Sequence, residues 1–227
     1  MIYITITVCL LAYLMGSIPF ALIIARAHGK DIRSIGSGNI GATNLSRACG
    51  RTWGQICFVL DLLKGLIPML VISLWARPIL MADGLSPERF TWIWIVCAVL
   101  TVVGHVFPLF AGFRGGKGVS TSFGATLGLF PYFTYCTLSA MCIWVITVKI
   151  WQYVSLASMV SAVSISLFML IFILLIPSWS FSELWPLMIL AVVFAVMVVL
   201  RHKGNIKRLL DGTEPRIDQK KRLNKSN

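Results

Sequence analysis

The stretch Gly36-Ser37-Gly38-Asn39-Ile40-Gly41-Ala42-Thr43-Asn44, followed by Arg47, gathers residue types that bind phosphate. Glycines let successive backbone N–H groups converge, small hydroxyl and amide side chains add neutral donors, and a guanidinium supplies charge. Ser37, Gly38, Asn39, Thr43 and Asn44 are therefore candidate ligand contacts, with Arg47 as the counter-charge. A second stretch, Phe113-Arg114-Gly115-Gly116-Lys117-Gly118, sets glycines around a lysine just before an apolar run. A helix starting there would turn the positive end of its dipole toward a bound anion. This is not a nucleotide P-loop, because Ala111 stands where G-x-x-x-x-G-K-[ST] requires its first glycine and Gly118 where it requires Ser or Thr. A third group, His202 and Asn205, lies three residues apart, so in a helix both face one way, beside Arg201, Lys203, Lys207 and Arg208. Ser155, Ser158 and Ser161 begin a further apolar run. None of them sits in G-x-S-x-G, so serine-hydrolase chemistry has no support.

The elements that must position these groups are membrane helices. Of 227 residues, 58% are hydrophobic and only 12% charged, which is not the balance of a soluble globule. The polar, glycine-rich first stretch lies between two long apolar runs, Ile2 to Ala25 and Ile56 to Trp75, so a cationic pocket is set against a bilayer. The first run lacks a basic flank ahead of it and is long enough to span, which makes it a helix and not a signal peptide. Six cysteines are scattered without C-x-x-C or metal-ligand spacing and read as small buried side chains. The net charge of +12 is explained by basic loops beside spans, so no nucleic-acid partner is expected.

Charge asymmetry orients the chain. Arg26, Lys30, Arg33, Arg47 and Arg51 oppose the single Asp31 in the first loop, which places that loop in the cytoplasm and the N-terminus outside. The second span, about Trp53 to Trp75, carries Asp61 and Lys64 on one helical face. The balanced segment from Ala76 to Phe90 suits the outer face, and the third span runs from Thr91 to about Phe110. Val119 to Val148 is too long for one ordinary span. Folding back near Pro131 returns the basic C-terminus to the cytoplasm, so two short helices are expected. Spans from about Ser155 to Ile176 and Leu184 to Leu200 complete an all-α, polytopic protein of seven transmembrane helices, N-terminus outside and C-terminus inside. Residues 1–214 form one transmembrane domain. The tail, 215–227, is expected to be a disordered, basic, cytoplasmic segment on anionic lipid.

Taken together, these blocks resemble the bacterial acyl-phosphate:glycerol-3-phosphate acyltransferases. The likeness runs through Gly16-Ser17-Ile18-Pro19, Gly36 to Asn44, Leu60-Asp61-Leu62-Leu63-Lys64-Gly65, Gly104-His105-Val106-Phe107-Pro108, Phe113 to Gly118, Ser155-Leu156-Ala157-Ser158 and Arg201-His202-Lys203-Gly204-Asn205-Ile206. It implies a multi-pass enzyme of the bacterial cytoplasmic (inner) membrane, its active site facing the cytoplasm. The implied reaction transfers a fatty acyl group from acyl phosphate to the 1-hydroxyl of sn-glycerol 3-phosphate in phospholipid biosynthesis, with no cofactor or metal. By the same likeness Ser37, Arg47, Lys117, His202 and Asn205 are the expected catalytic set. Gly38, Asn39, Thr43, Asn44, Gly115, Gly116, Gly118 and Ser158 are expected to bind substrate. Arg114 and Gly204 depart from the family's usual residues while leaving the charges and the His202–Asn205 spacing intact. The H-x-x-x-x-D pair of many other glycerolipid acyltransferases is absent, since the fifth residue after each histidine is Arg33, Phe110 or Lys207. The departing phosphate or His202 is then left to take the hydroxyl proton.

Overall fold

The computed structural model describes residues 1–217, and every regular element in that range is helical. The chain divides into two compact units, Met1–Thr134 and Tyr135 onward.

In the first unit the opening span is broken. α1 (Ile2–Gly16) ends at Ser17-Ile18-Pro19 and α2 (Phe20–Ala27) resumes beyond it. The expected single run from Ile2 to Ala25 is thus two helices, because Pro19 has no N–H to continue the ladder and disfavours helical geometry at Ile18. A break inside a bilayer must have its freed carbonyls satisfied. Lys64 does this, donating from Nζ to the Ile18 carbonyl oxygen at 2.7 Å. α3 (Ala42–Cys49) lies in the first loop. α4 (Arg51–Val71) follows and continues through a π-helical turn (Ile72–Ala76) into α5 (Arg77–Ala82). The segment expected as an outer loop from Ala76 is therefore largely helical, and only the Asp83–Ser86 turn separates it from α6 (Pro87–Val106). Ser86 caps α6, accepting from the Arg89 N–H at 3.3 Å with Pro87 at the first helical position.

After a short 3₁₀ turn (Leu109–Ala111) comes α7 (Val119–Leu127). Helices cross here backbone to backbone through glycine. A Cβ on Gly65 of α4 would overlap the Thr121 carbonyl of α7, and one on Gly124 of α7 would overlap the Leu62 carbonyl of α4. Gly16 and Gly104 do the same between α1 and α6. In lipid, where burying apolar surface drives helices together only weakly, such small-residue contacts supply the packing.

The second unit holds α8 (Tyr132–Trp151) apart from its first turn, α9 (Val154–Leu175), α10 (Phe181–Arg201) and α11 (Lys203–Leu210). Buried positions on α10, Leu184, Leu187, Leu190, Ala191, Phe194, Ala195 and Val198, recur every three or four residues and make one stripe. α9 and α10 pack on each other, and Cys136 of α8 meets Met169 of α9, sulfur to sulfur, at 3.8 Å. Among the described residues six helical segments are long and apolar enough to cross a membrane: Ile2–Ala27, Arg51–Ala82, Pro87–Ala111, Tyr132–Trp151, Val154–Leu175 and Phe181–Arg201. The expected break near Pro131 is present. The fourth of the seven expected spans, α7, has nine residues and at 1.5 Å per residue reaches only ~13 Å, under half of a ~30 Å hydrocarbon core. Of the tail expected from residue 215, the part up to Ile217 is described. The Ile217 N–H donates to the Gln152 carbonyl at 3.0 Å, and the Arg216 guanidinium lies over the Tyr153 ring at 5.6 Å. Residues 218–227 lie outside the described residues.

Candidate active site

The first loop is built around one asparagine. Asn44, buried on α3, donates through Nδ2 to the carbonyls of Ile32 (3.1 Å) and Ile35 (2.9 Å), and its Oδ1 accepts the Ser37 N–H at 3.1 Å. Both amide protons are therefore spent inside the loop. Asn44, expected to touch substrate, works here as the frame that holds Ser37 in place. Gly36 passes so close that a Cβ would press on Asn44 Oδ1, and its φ of +58° favours glycine independently. Beside it runs Arg47, with its Cδ 3.5 Å from where that Cβ would stand. Ser37, Asn44 and Arg47 thus surround Gly36. Ser37 and Thr43 are exposed, while Gly38, Asn39 and Arg47 are half-buried. Beneath them Ile32, Ile40 and Leu45 pack with Ala21, Leu22 and Ala25 of α2. Lys30 Nζ closes the far end of α3 on the Ala48 carbonyl.

The second loop is tied to the first. Arg33 donates through Nη2 to the Ala111 carbonyl at 2.6 Å, and Ala111 packs in the same apolar cluster as Ile32 and Leu45. Gly115 and Gly116 pair with the end of α6, donating N–H to the carbonyls of Val106 and His105, each at 3.1 Å. Side chains do not fit there. A Cβ on Gly115 would overlap the His105 carbonyl, and one on Gly116 would overlap the His105 ring. Gly118 takes φ +84° and N-caps α7. Lys117, half-buried, is held between these fixed glycines at the N-terminus of α7. The glycine pattern thus has a packing cause in addition to any ligand.

Below that loop lies a charged cluster. Asp61 and Lys64 of α4 pair at 2.8 Å with both side chains only 3% exposed. His105 Nδ1 stands 3.0 Å from Thr121 Oγ1 of α7 and 3.7 Å from Asp61 Oδ1, and Thr121 Oγ1 also reaches the Asp61 carbonyl oxygen at 3.0 Å. The cluster therefore fastens α4, α6 and α7 together, and through Lys64 the break in the first span.

Ser158, His202 and Asn205 belong to the second unit. The Ser158 hydroxyl donates to the Val154 carbonyl at 2.8 Å and receives the Trp144 Nε1–H at 3.4 Å, so it joins α9 to α8. His202, at the junction of α10 and α11, is 3% exposed, and its Nδ1 lies 2.7 Å from the Val198 carbonyl. A carbonyl only accepts, so Nδ1 carries the proton and Nε2 bears the lone pair of the neutral ring. Asn205 donates through Nδ2 to Glu214 Oε1 at 2.6 Å. That same oxygen accepts the Ser155 hydroxyl at 2.7 Å, and Oε2 accepts the Arg208 Nε–H at 2.8 Å. Burial pushes the Glu214 carboxyl up, but the hydrogen bonds from Ser155, Asn205 and Arg208, with the Arg208 charge, outweigh it and leave its pKa below the ordinary value. Glu214 and His105 were not among the expected site residues. The signal for Glu214 was an acid set in a strongly basic segment, and for His105 a histidine ten residues ahead of Gly115 in the second glycine run.

Three comparisons bear on these arrangements. Residues 6–212 match the family described as glycerol-3-phosphate acyltransferase. The chain is 41% identical over 208 residues to a glycerol-3-phosphate acyltransferase of Geobacter sulfurreducens, covering 91% of this chain and 94% of that one. Its fold is similar to crystal structures of PlsY, an integral membrane glycerol 3-phosphate acyltransferase. The glycerol 3-phosphate form gives a TM-score of 0.79 at 34% identity, covering 96% of this chain and 98% of that chain. The lysophosphatidic acid form gives 0.74 at 34% identity, covering 93% and 94%.

Proposed function

The chain belongs to the glycerol-3-phosphate acyltransferase family, and from that premise we propose that it carries an acyl group from acyl phosphate to the 1-hydroxyl of sn-glycerol 3-phosphate, releasing lysophosphatidate and phosphate. The observation that carries this reading is the pair of tied, glycine-built loops that set Arg47 and Lys117 at the ends of membrane helices. One substrate is an anion with an oily tail and the other a small soluble phosphate. Two phosphates brought together repel, so cations and neutral donors must offset them, as Arg47, Lys117 and Ser37 do in this reading.

An acyl phosphate is already an activated mixed anhydride, so no covalent enzyme intermediate is needed. The glycerol hydroxyl oxygen bonds to the acyl carbon, the bond from that carbon to the phosphate oxygen breaks, and the departing phosphate takes the hydroxyl proton. Orientation of hydroxyl and carbonyl about 3 Å apart supplies much of the acceleration. Lys117 and backbone N–H groups offset charge as the carbonyl is attacked. His202 and Asn205 hydrogen-bond substrate phosphate as donors, Asn205 through an amide N–H and His202 through Nε2–H of the doubly protonated ring, whose Nδ1–H still meets the Val198 carbonyl. Support for acyl phosphate over a thioester donor comes from the missing H-x-x-x-x-D pair. A thiolate leaving group accepts a proton poorly, whereas phosphate has oxygens basic near neutral pH. The loops face the cytoplasm of the bacterial inner membrane in this reading, as the five cations of the first loop favour.

The test is turnover by purified protein in lipid. Phosphate release from acyl phosphate should require glycerol 3-phosphate, and acyl-CoA should give little or no product. Arg47→Ala and Lys117→Ala should each lose roughly 10²-fold or more in kcat/KM, the scale of losing a positioned charge at a reacting phosphate. Efficient acyl-CoA use would overturn the donor assignment, and full turnover by either variant would remove that residue from the site.

A further inference from the structure

We propose that His105 is a positioning residue for this reaction: its imidazole, seated on Thr121 and Asp61, is the floor on which the Gly115–Gly118 loop rests, and it sets where Lys117 stands. The proposal rests on the reading that Lys117 meets a substrate phosphate.

Both ends of the short loop are held by the same histidine. On the incoming side the His105 carbonyl accepts the Gly116 N–H at 3.1 Å, and the Nε2 edge of the ring fills the space where a Gly116 Cβ would project. On the outgoing side His105 Nδ1 lies 3.0 Å from the hydroxyl of Thr121, in the first turn of α7 and four residues beyond Lys117. Thr121 has one hydroxyl proton and gives it to the Asp61 carbonyl at 3.0 Å, so its oxygen accepts from His105 Nδ1–H. Asp61 Oδ1, 3.7 Å away, favours a proton on that same nitrogen. Asp61 is fixed in turn by Lys64 at 2.8 Å, and Lys64 by the Ile18 carbonyl at 2.7 Å. No part of this chain reaches solvent freely: Asp61, Lys64 and Thr121 are 3% exposed or less and His105 is 6% exposed. Rotation of the ring would break the Thr121 bond and withdraw the surface under Gly116 together. Lys117 would then move by a fraction of a loop width, and a misplacement of about 1 Å can cost on the order of 10²-fold in rate.

The experiment is a double-mutant cycle on the full chain, read as turnover of radiolabelled glycerol 3-phosphate with acyl phosphate, with thermal unfolding midpoints for every variant. Thr121→Val removes the hydroxyl at nearly constant volume, Thr121→Ser restores it, and His105→Asn keeps a donor near Nδ1 while deleting the ring edge under Gly116. Thr121→Val and His105→Asn should each lower kcat/KM by roughly 10- to 100-fold, with Thr121→Ser close to the parent. In a Lys117→Ala background the same substitutions should cost no more than about twofold, since their effect runs through Lys117. Full additivity, or parent-like turnover by both His105→Asn and Thr121→Val, overturns the proposal. Losses that track a falling unfolding midpoint and persist in the Lys117→Ala background also overturn it, as damage to the fold alone. If Lys117→Ala itself turns over normally, the phosphate reading of that loop fails instead, and the two failures are told apart.

Discussion

At the scale of single residues, the groups that hold the candidate site matter as much as those that would touch substrate. Asn44 shows the logic. Replacing it with Ala deletes three hydrogen bonds and leaves the Ile32 carbonyl with only the long 3.4 Å bond from the Ile35 N–H, a loss of about 1–3 kcal/mol in the local stability of the loop. Asn44→Asp keeps the acceptor for Ser37 N–H but turns an anionic oxygen toward two carbonyls, so it should be no better than Ala despite its closer shape. Hydrogen exchange over residues 35–44 should rise in both variants, with activity falling in parallel; a fully active Asn44→Asp would remove this role. Glu214 gives a pH dependence with a definite sign. Its folded pKa lies below the unfolded value, so its contribution is present above the ordinary glutamate range near ~4.3 and is lost as pH falls through the lower folded pKa. Protease access to the segment after α11 should therefore stay low at neutral and mildly acidic pH and rise only in stronger acid. Glu214→Gln, which offers an NH₂ where Ser155, Asn205 and Arg208 present three donors, should raise access at neutral pH and flatten the acid step.

At the scale of elements, the close crossings make a sharp prediction. Gly124→Leu sets a side chain where the Leu62 backbone already stands, and because backbone cannot yield as a flexible side chain does, α4 and α7 must part. The expected cost is about 1–3 kcal/mol or more, seen as a lower thermal midpoint, whereas a Gly204→Ala control at an exposed position of α11 meets only the flexible Arg208 Nη1 at 3.7 Å and should leave the midpoint in place. Much of the helical layout was legible in the sequence, since long apolar runs and the Pro131 interruption carry their meaning locally. Less legible were the break at Pro19, where the apolar run continues unchanged in composition, and the brevity of α7, whose buried Ser120, Thr121, Ser122 and Thr126 look no different from a span's residues. The glycine loops stood out for the same local reason. What they rest on did not, because His105 meets Thr121 and Asp61 across sixteen and forty-four residues and Glu214 meets Ser155 across fifty-nine. One sequence records which polar groups are present and says nothing of which distant ones they meet.

At the scale of the whole molecule, topology is the testable property. The N-terminal ammonium lies 3.4 Å from Asp83, so the chain start and the turn between α5 and α6 share one end of the first unit. α6 runs from that end to the second glycine loop, and α4, continued through the π-helical turn and α5, connects the first glycine loop to it. With native cysteines removed, a cysteine introduced at Gly84 should react with an impermeant maleimide from outside the cell, while cysteines at Gly112 and Thr213 should react only after permeabilisation. Outside labelling at Gly112 or Thr213 would invert the assignment. The tie at Glu214 also has a bearing on how the protein is made. The ribosome delivers Glu214 after every long apolar helix, so α8, α9 and α10 enter the membrane while Ser155, Asn205 and Arg208 still lack their common acceptor. A polypeptide cut short just ahead of Glu214 would keep all six apolar spans and insert normally, yet remain unfinished at the polar end of α9. Membrane yield is then a poor gauge of maturation for this chain, and quality control that senses exposed polar groups near the lipid surface would find its target in Ser155, Asn205 and Arg208, the donors that Glu214 gathers.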